Sequence, residues 1–285
     1  MAMKKFLPYH VKCLPRRLIQ KAEEELKETD EIRAPSLDKM KALINAEKKL
    51  KCPMEDEYLT QFLRARKYDV KKAFNLLQNK YQTKKSYSDM YDDVDLDEIR
   101  KIASTGPAYC LPYRDEEGCV VLVLQVGKWK VEETNIAIAL TALTCILLMI
   151  VEEPATQICG VRVLVDVKGF SLKQMKSLTP RYISLLSKAL RNCLPIRFKG
   201  IHFFNESTIF QYVWSLLRMV LTEKIKNRVH FHGDSQKSLQ KFIPKDILTS
   251  EYGGENNTFN EAEWCLGELE NYFDKFLKVI KCGYS

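Results

Sequence analysis

The run IAIALTALTCILLMIV, from Ile136 to Val151, is the most apolar stretch of the chain, and whether it crosses a bilayer or walls an enclosed space decides the fold. A bilayer core about 30 Å thick needs roughly 20 consecutive apolar helical residues, and this run stops short of that. Its flanks also argue against a span. Glu132 and Glu133 precede it and Glu152, Glu153 and Pro154 close it, where spanning helices carry Lys, Arg, Trp or Tyr. A helix apolar nearly all round and not in lipid must be buried on several sides, or must face a cavity filled by something equally apolar.

The sequence on either side supplies the enclosure. From about residue 15 to 88 it reads as helices: RRLIQKAEEELKE, then SLDKMKALINAEKKL with Ser36 as its expected N-cap, then EDEYLTQFLRAR and VKKAFNLLQNKYQTKK. After the acidic spacer DMYDDVDLDEI the period changes to two. CVVLVLQV (119–126), GVRVLVDV (160–167), RFKGIHFF (197–204) and NRVHFHG (227–233) read as strands. Helical segments separate them: the opening run, TPRYISLLSKALRN with Pro180 in its first turn, and STIFQYVWSLLRMVL. Strands alternating with helices predict an α/β fold with a mostly parallel sheet. The expected division is a helical N-terminal unit (1–95), an α/β domain (96–256) and a C-terminal helix (257–285), of which NEAEWCLGELENYFDKFLKVI is the amphipathic core.

Composition bounds the chemistry. The chain of 285 residues is 46% hydrophobic, enough for a substantial core, and its net charge of +8 suggests an anionic partner, nucleic acid or a lipid surface. Nine cysteines without a C-x-x-C pair argue against structural zinc and a disulfide framework, and fit a reducing cytosol. The N-terminus MAMKKFLPYHVKCLPRRL lacks a continuous apolar core and a small-residue cleavage site, so no secretory signal is expected.

No G-x-S-x-G, Walker A, Rossmann glycine pattern or H-E-x-x-H occurs, so no catalytic residue, metal or cofactor is expected and the chain does not read as an enzyme. His230 and His232 share a strand face but make an incomplete metal site. Asp166 interrupts a buried strand and is expected to bind backbone or a hydroxyl rather than act as a base.

Two features point to a pocket. Val161, Val163, Val165 and Val167 share one strand face. In STIFQYVWSLLRMVL, Phe210, Trp214, Leu217 and Leu221 form one stripe, while Tyr212, Val213, Leu216 and Met219 leave little polar face. Such a helix is either core or a lid that closes on an apolar ligand with one face and meets a membrane with the other.

FLRARKYDVKKAF (62–74), GIHFFNE (200–206), LTEKIKNRVHFHG (221–233) and DILTSEYGG (246–254) together resemble the CRAL-TRIO lipid-binding family, most closely its tocopherol- and retinaldehyde-binding members. The resemblance covers roughly residues 55–256. It implies a helical unit packed on an α/β domain whose sheet floors a hydrophobic pocket, with a mobile helical lid. It also implies a cytoplasmic carrier, peripheral on membranes, that binds one tocopherol-, retinoid- or isoprenoid-like lipid; the alternatives are phosphatidylinositol or phospholipid transfer, or a lipid-gated interaction protein. Nucleic acid is then not the partner. By the resemblance the ligand site comprises Leu124, Leu140, Leu143, Leu147, Val163, Val165, Leu186, Leu190, Phe198 and Ile201, with Phe210, Trp214 and Leu217 on the lid. Positions matching the family's basic phosphoinositide cleft are Arg66, Arg197, Lys199, Lys224 and Arg228. Lys224 and Arg228, four apart, are expected to share a helix face if the lid helix continues through them.

Overall fold

In the computed structural model, which describes residues 6–256 and 260–284, the four strand runs lie side by side. The first five residues of the N-terminal stretch, and residues 257–259 at the expected start of the C-terminal segment, lie outside the described residues. The chain opens with helices α1 (Arg16–Leu26) and α2 (Asp30–Ala46), strand β1 (Leu50–Lys51), and helices α3 (Asp56–Ala65), α4 (Val70–Ser86) and α5 (Leu96–Ala103). Strands β2 (Ala108–Cys110) and β3 (Val120–Gln125) follow, then α6 (Ile136–Glu152), α7 (Pro154–Cys159), β4 (Val161–Asp166), α8 (Leu172–Ser177) and α9 (Pro180–Lys188). The remainder is β5 (Phe198–Phe204), α10 (Thr208–Val220), α11 (Glu223–Lys226), β6 (Val229–Phe231), α12 (Gln236–Leu239), α13 (Glu261–Lys281) and β7 (Gly283–Tyr284).

The sheet order is β2-β3-β4-β5-β6, with β3 through β6 parallel and β2 antiparallel at one edge. β2 was not expected, because three residues are too few to display a period. A separate antiparallel pair, β1 with β7, ties the C-terminus to the helical unit. The pleat then sorts the side chains. Leu122, Val163, Val165, Ile201 and Phe203 belong to one large core, and Val121, Val123, Leu164 and Phe204 to a second core on the opposite face with Ile243, Leu248 and Tyr252. Phe198 and Ile201, three apart, both reach the first face because the register with β4 shifts: Val161 pairs with Phe198 and Arg162 with Gly200, leaving Lys199 extra. Gly160, at φ +96°, makes the entry to β4 possible, since a Cβ there would lie 2.4 Å from the Arg197 carbonyl oxygen.

Three local expectations need correction. Ser36 is not an N-cap: α2 begins six residues earlier, with Thr29 at its N-cap and Asp30 and Glu31 in the first turn. The helix runs through Pro35, held by Ser36, Leu37, Met40 and Ile44 on its buried side. The acidic spacer is partly helical, because the Asp95 carboxylate caps α5 by accepting from Asp97 N (2.8 Å) and Glu98 N (3.4 Å). The lid helix α10 does not continue through Lys224, since Leu221 is extended and α11 is a separate turn that ends before Arg228.

α6 is buried between α5, α13 and the interior, and its hydroxyls are satisfied: Thr141 Oγ donates to Ala137 O or Met90 O, and Thr144 Oγ to Leu140 O. Among the described residues no helix is long and apolar enough to cross a membrane.

Candidate functional site

Between the first sheet face, α6, α9 and α10 lies a cavity of about 370 Å³ with an almost wholly apolar wall. The thirteen residues expected at the ligand site, Leu124, Leu140, Leu143, Leu147, Val163, Val165, Leu186, Leu190, Phe198, Ile201, Phe210, Trp214 and Leu217, all line it. So do Trp129, Phe170 and Tyr91, which sequence reasoning did not single out. Two of the few polar groups on the wall are partnered locally. Trp129 Nε1 donates to Thr134 O at 2.8 Å, and the Tyr91 hydroxyl lies 3.3 Å from Thr144 Oγ.

α10 closes one side. Ser207 caps it by accepting from Phe210 N, and Ser187 Oγ on α9 holds its last turn by donating to Val220 O at 2.8 Å. Phe210 packs on Phe203 and Phe170 at centroid distances of 4.7 and 6.2 Å, and Trp214 packs on Phe203 and Phe231 at 5.9 and 5.3 Å. The opposite face is bare: Tyr212 is 60% exposed and Met219 71%, and Phe231, packed on Trp214, is 45% exposed. Isolated exposed apolar residues are ordinary, but this group borders a cavity closure.

The five basic residues converge at one end of the sheet. The positive charges of Arg228, Arg66, Lys67 and Arg197, after burial, hold the Lys224 ammonium below its ordinary range. Burial likewise lowers Arg66, whose Nη2 lies 3.4 Å from Arg191 O. Arg228 donates to Phe198 O and Arg197 to Ile158 O. The cleft also holds an acid that sequence reading missed. Glu25 on α1 lies 2.8 Å from Arg197 and 3.5 Å from Lys199. Burial pushes its carboxyl up, but the Arg197 hydrogen bond and the charges of Lys199 and Lys21 prevail and bring it down to about 2.

On the far face, His202 stacks on His230 and His232, and His202 Nδ1 lies 3.0 Å from His232 Nε2. Among the described residues no group of three or more His, Cys, Asp or Glu could hold a metal ion. Asp166 accepts from Asn205 Nδ2, Tyr252 Oη and Lys168 N, a structural set of bonds.

Residues 104–254 match the CRAL/TRIO domain and residues 20–79 the CRAL/TRIO N-terminal domain, so the chain belongs to the CRAL/TRIO family of lipid-binding transfer proteins. It is 30% identical over 277 residues to the "Alpha-tocopherol transfer protein-like" protein of Homo sapiens, spanning 96% of this chain and 81% of that one. It is 29% identical over 249 residues to Clavesin-1 of Mus musculus, spanning 86% and 70%. Its fold is similar to that of Sfh5, with a TM-score of 0.53 at 14% identity, over 87% of this chain and 99% of that one.

Proposed function

We propose that the chain is a carrier that encloses one tocopherol-, retinoid- or isoprenoid-like lipid and transfers it to membranes bearing phosphoinositides. The observation that carries this reading is the cavity of about 370 Å³ whose closing helix has its other face, with Tyr212 and Met219, open to water. At a bilayer those side chains exchange water for acyl chains, gaining roughly 25 cal/mol per Å² buried. Pulling α10 outward separates Trp214 and Phe210 from Phe203 and opens the cavity. The basic cleft adds orientation. Guanidinium and ammonium donors suit phosphate oxygens, and each basic residue near an anionic surface contributes about 1 kcal/mol.

Organic extraction of the purified protein followed by mass spectrometry identifies the cargo, and a donor-to-acceptor vesicle assay measures its movement. The double substitution Lys224→Ala, Arg228→Ala should slow transfer to phosphoinositide vesicles roughly tenfold or more, while the lipid content after purification stays stoichiometric. Transfer at the wild-type rate refutes the cleft. A retained lipid that never exchanges marks an interaction protein instead of a carrier, and an extracted phospholipid replaces the proposed cargo class.

A further inference from the structure

One buried cation at the cavity wall is used by nothing described above. Lys80 belongs to the buried stripe of α4 with Ala73, Leu76, Leu77 and Tyr81, and it lines the cavity together with Tyr81. Its Nζ donates to the Tyr58 hydroxyl at 3.0 Å, and the Tyr58 and Tyr81 hydroxyls are 2.7 Å apart. The rings of Tyr58, Phe62 and Tyr81 surround the ammonium at 5.1, 5.7 and 5.6 Å. Among the described residues no carboxylate forms an ion pair with it; Glu152, the acid that acts on it from a distance, is engaged by Lys275 and Gln61.

Counting donors shows what is missing. An ammonium has three N–H groups and, among the described residues, only one is used. The two phenols share one hydrogen bond, so whichever donates, one O–H is left. Two donors on the cation, and a third on a phenol pair of which Tyr81 lines the cavity and Tyr58 does not, are therefore left at or behind the cavity wall without a protein acceptor among the described residues. Burying an unpaired cation is costly, and ring faces offset only part of that. A lipid alcohol offers two acceptor lone pairs but brings a donor of its own and no charge. An aldehyde accepts but brings no charge. A carboxylate brings only acceptors, about four lone-pair sites, and the opposite charge.

We infer that Lys80 and the Tyr81 hydroxyl, both held by Tyr58 behind them, form the head-group site of the cavity, which selects a single-chain lipid that ends in a carboxylate. The inference rests on the reading of this cavity as a lipid site and names the class of its cargo. Its pH dependence follows from the groups around Nζ. Burial lowers the Lys80 ammonium to about 8. Burial raises the thiols of Cys52, Cys193 and Cys282, the first two to about 11 and 12, and raises the phenols of Tyr58 and Tyr81. Burial thus moves the thiols and phenols upward, away from the range pH 7 to 9, and moves Lys80 down into it. A carboxylate partner restores the ammonium, so above pH 8 binding must take up a proton and affinity for the acid must fall as pH rises.

The test compares oleate with oleyl alcohol, which share a chain, by calorimetry on the delipidated full-length protein. At pH 7 the wild type should bind the acid roughly tenfold or more tightly than the alcohol. Lys80→Met should bring that ratio close to one, and Tyr81→Phe, which keeps the ring and serves if the first variant does not fold, should reduce it severalfold. At pH 9 the wild type should take up protons with oleate and none with the alcohol, read from buffers of different ionisation enthalpy. A wild-type ratio near one, or a ratio kept in Lys80→Met, overturns the head-group site and leaves the cavity reading intact. If the wild type binds neither probe and also fails to retain a retinoid or tocopherol, the cavity reading falls and the head-group site with it.

Discussion

Helices α6 and α10 are both too apolar for an ordinary surface, yet they sit in different surroundings. α6 is covered on nearly every side along its second half, from Cys145 to Val151, with α5 and α13 outside it and the cavity within. α10 buries only Phe210 and Val213 fully, and leaves Tyr212, Met219 and Val220 to water. One helix is a fixed wall, because moving it would expose its whole circumference. The other exposes apolar surface already, so leaving the cavity for another apolar medium costs it little.

The largest expected effect tests that contrast directly. Ile150→Asp on α6 places an unpaired carboxylate where no water reaches, and should destabilise the fold by about 4 kcal/mol or more. Met219→Asp on α10 should change stability by no more than about 0.5 kcal/mol. Urea unfolding followed by circular dichroism measures both, and equal losses would erase the distinction between wall and lid.

A smaller effect sharpens the lid itself. Trp214→Ala removes the ring that clasps Phe203 and Phe231, and should speed release of a fluorescent lipid analogue roughly tenfold in stopped-flow experiments. An unchanged off-rate would make α10 as static as α6.

The smallest effect concerns the charged end of the sheet. Glu25 occupies the donors of Arg197 and Lys199, so Glu25→Gln should raise affinity for phosphoinositide vesicles about two- to fivefold, the scale of a partly exposed ion pair. The sign with pH is fixed: a carboxyl depressed to about 2 is charged throughout the neutral range. Its stabilising pairing is fully present above its unfolded pKa and lost only as pH falls through about 2. Vesicle sedimentation should therefore show the same gain at pH 5.5 and 8, and a gain confined to one end would assign the effect to another group.

Much of this was legible along the chain. Period-two valines located the sheet, the length and flanks of 136–151 excluded a span, and four separated motifs carried the family. The stripe Ala73, Leu76, Leu77, Lys80, Tyr81 was readable as well: spacings of three and four put Lys80 among apolar neighbours, though the many lysines of VKKAFNLLQNKYQTKK make it resemble a solvated one. The Ser36 expectation failed because a proline two turns into a helix looks locally like its start, while the buried side of α2 keeps the helix running through it.

By itself the sequence determined which faces are apolar, the order of the four parallel strands and of the long helices between them, and that the run 136–151 is too short to span a membrane, because periodicity and length are local properties of the chain. Tertiary structure alone decided what each face meets. It brought Glu25 to Arg197 across 172 positions, carried Phe198 and Ile201 to one side through a shift of register, and walled Lys80 away from any carboxylate partner among the described residues. Charge pairing and desolvation depend on distances through space, and a linear pattern does not contain those distances.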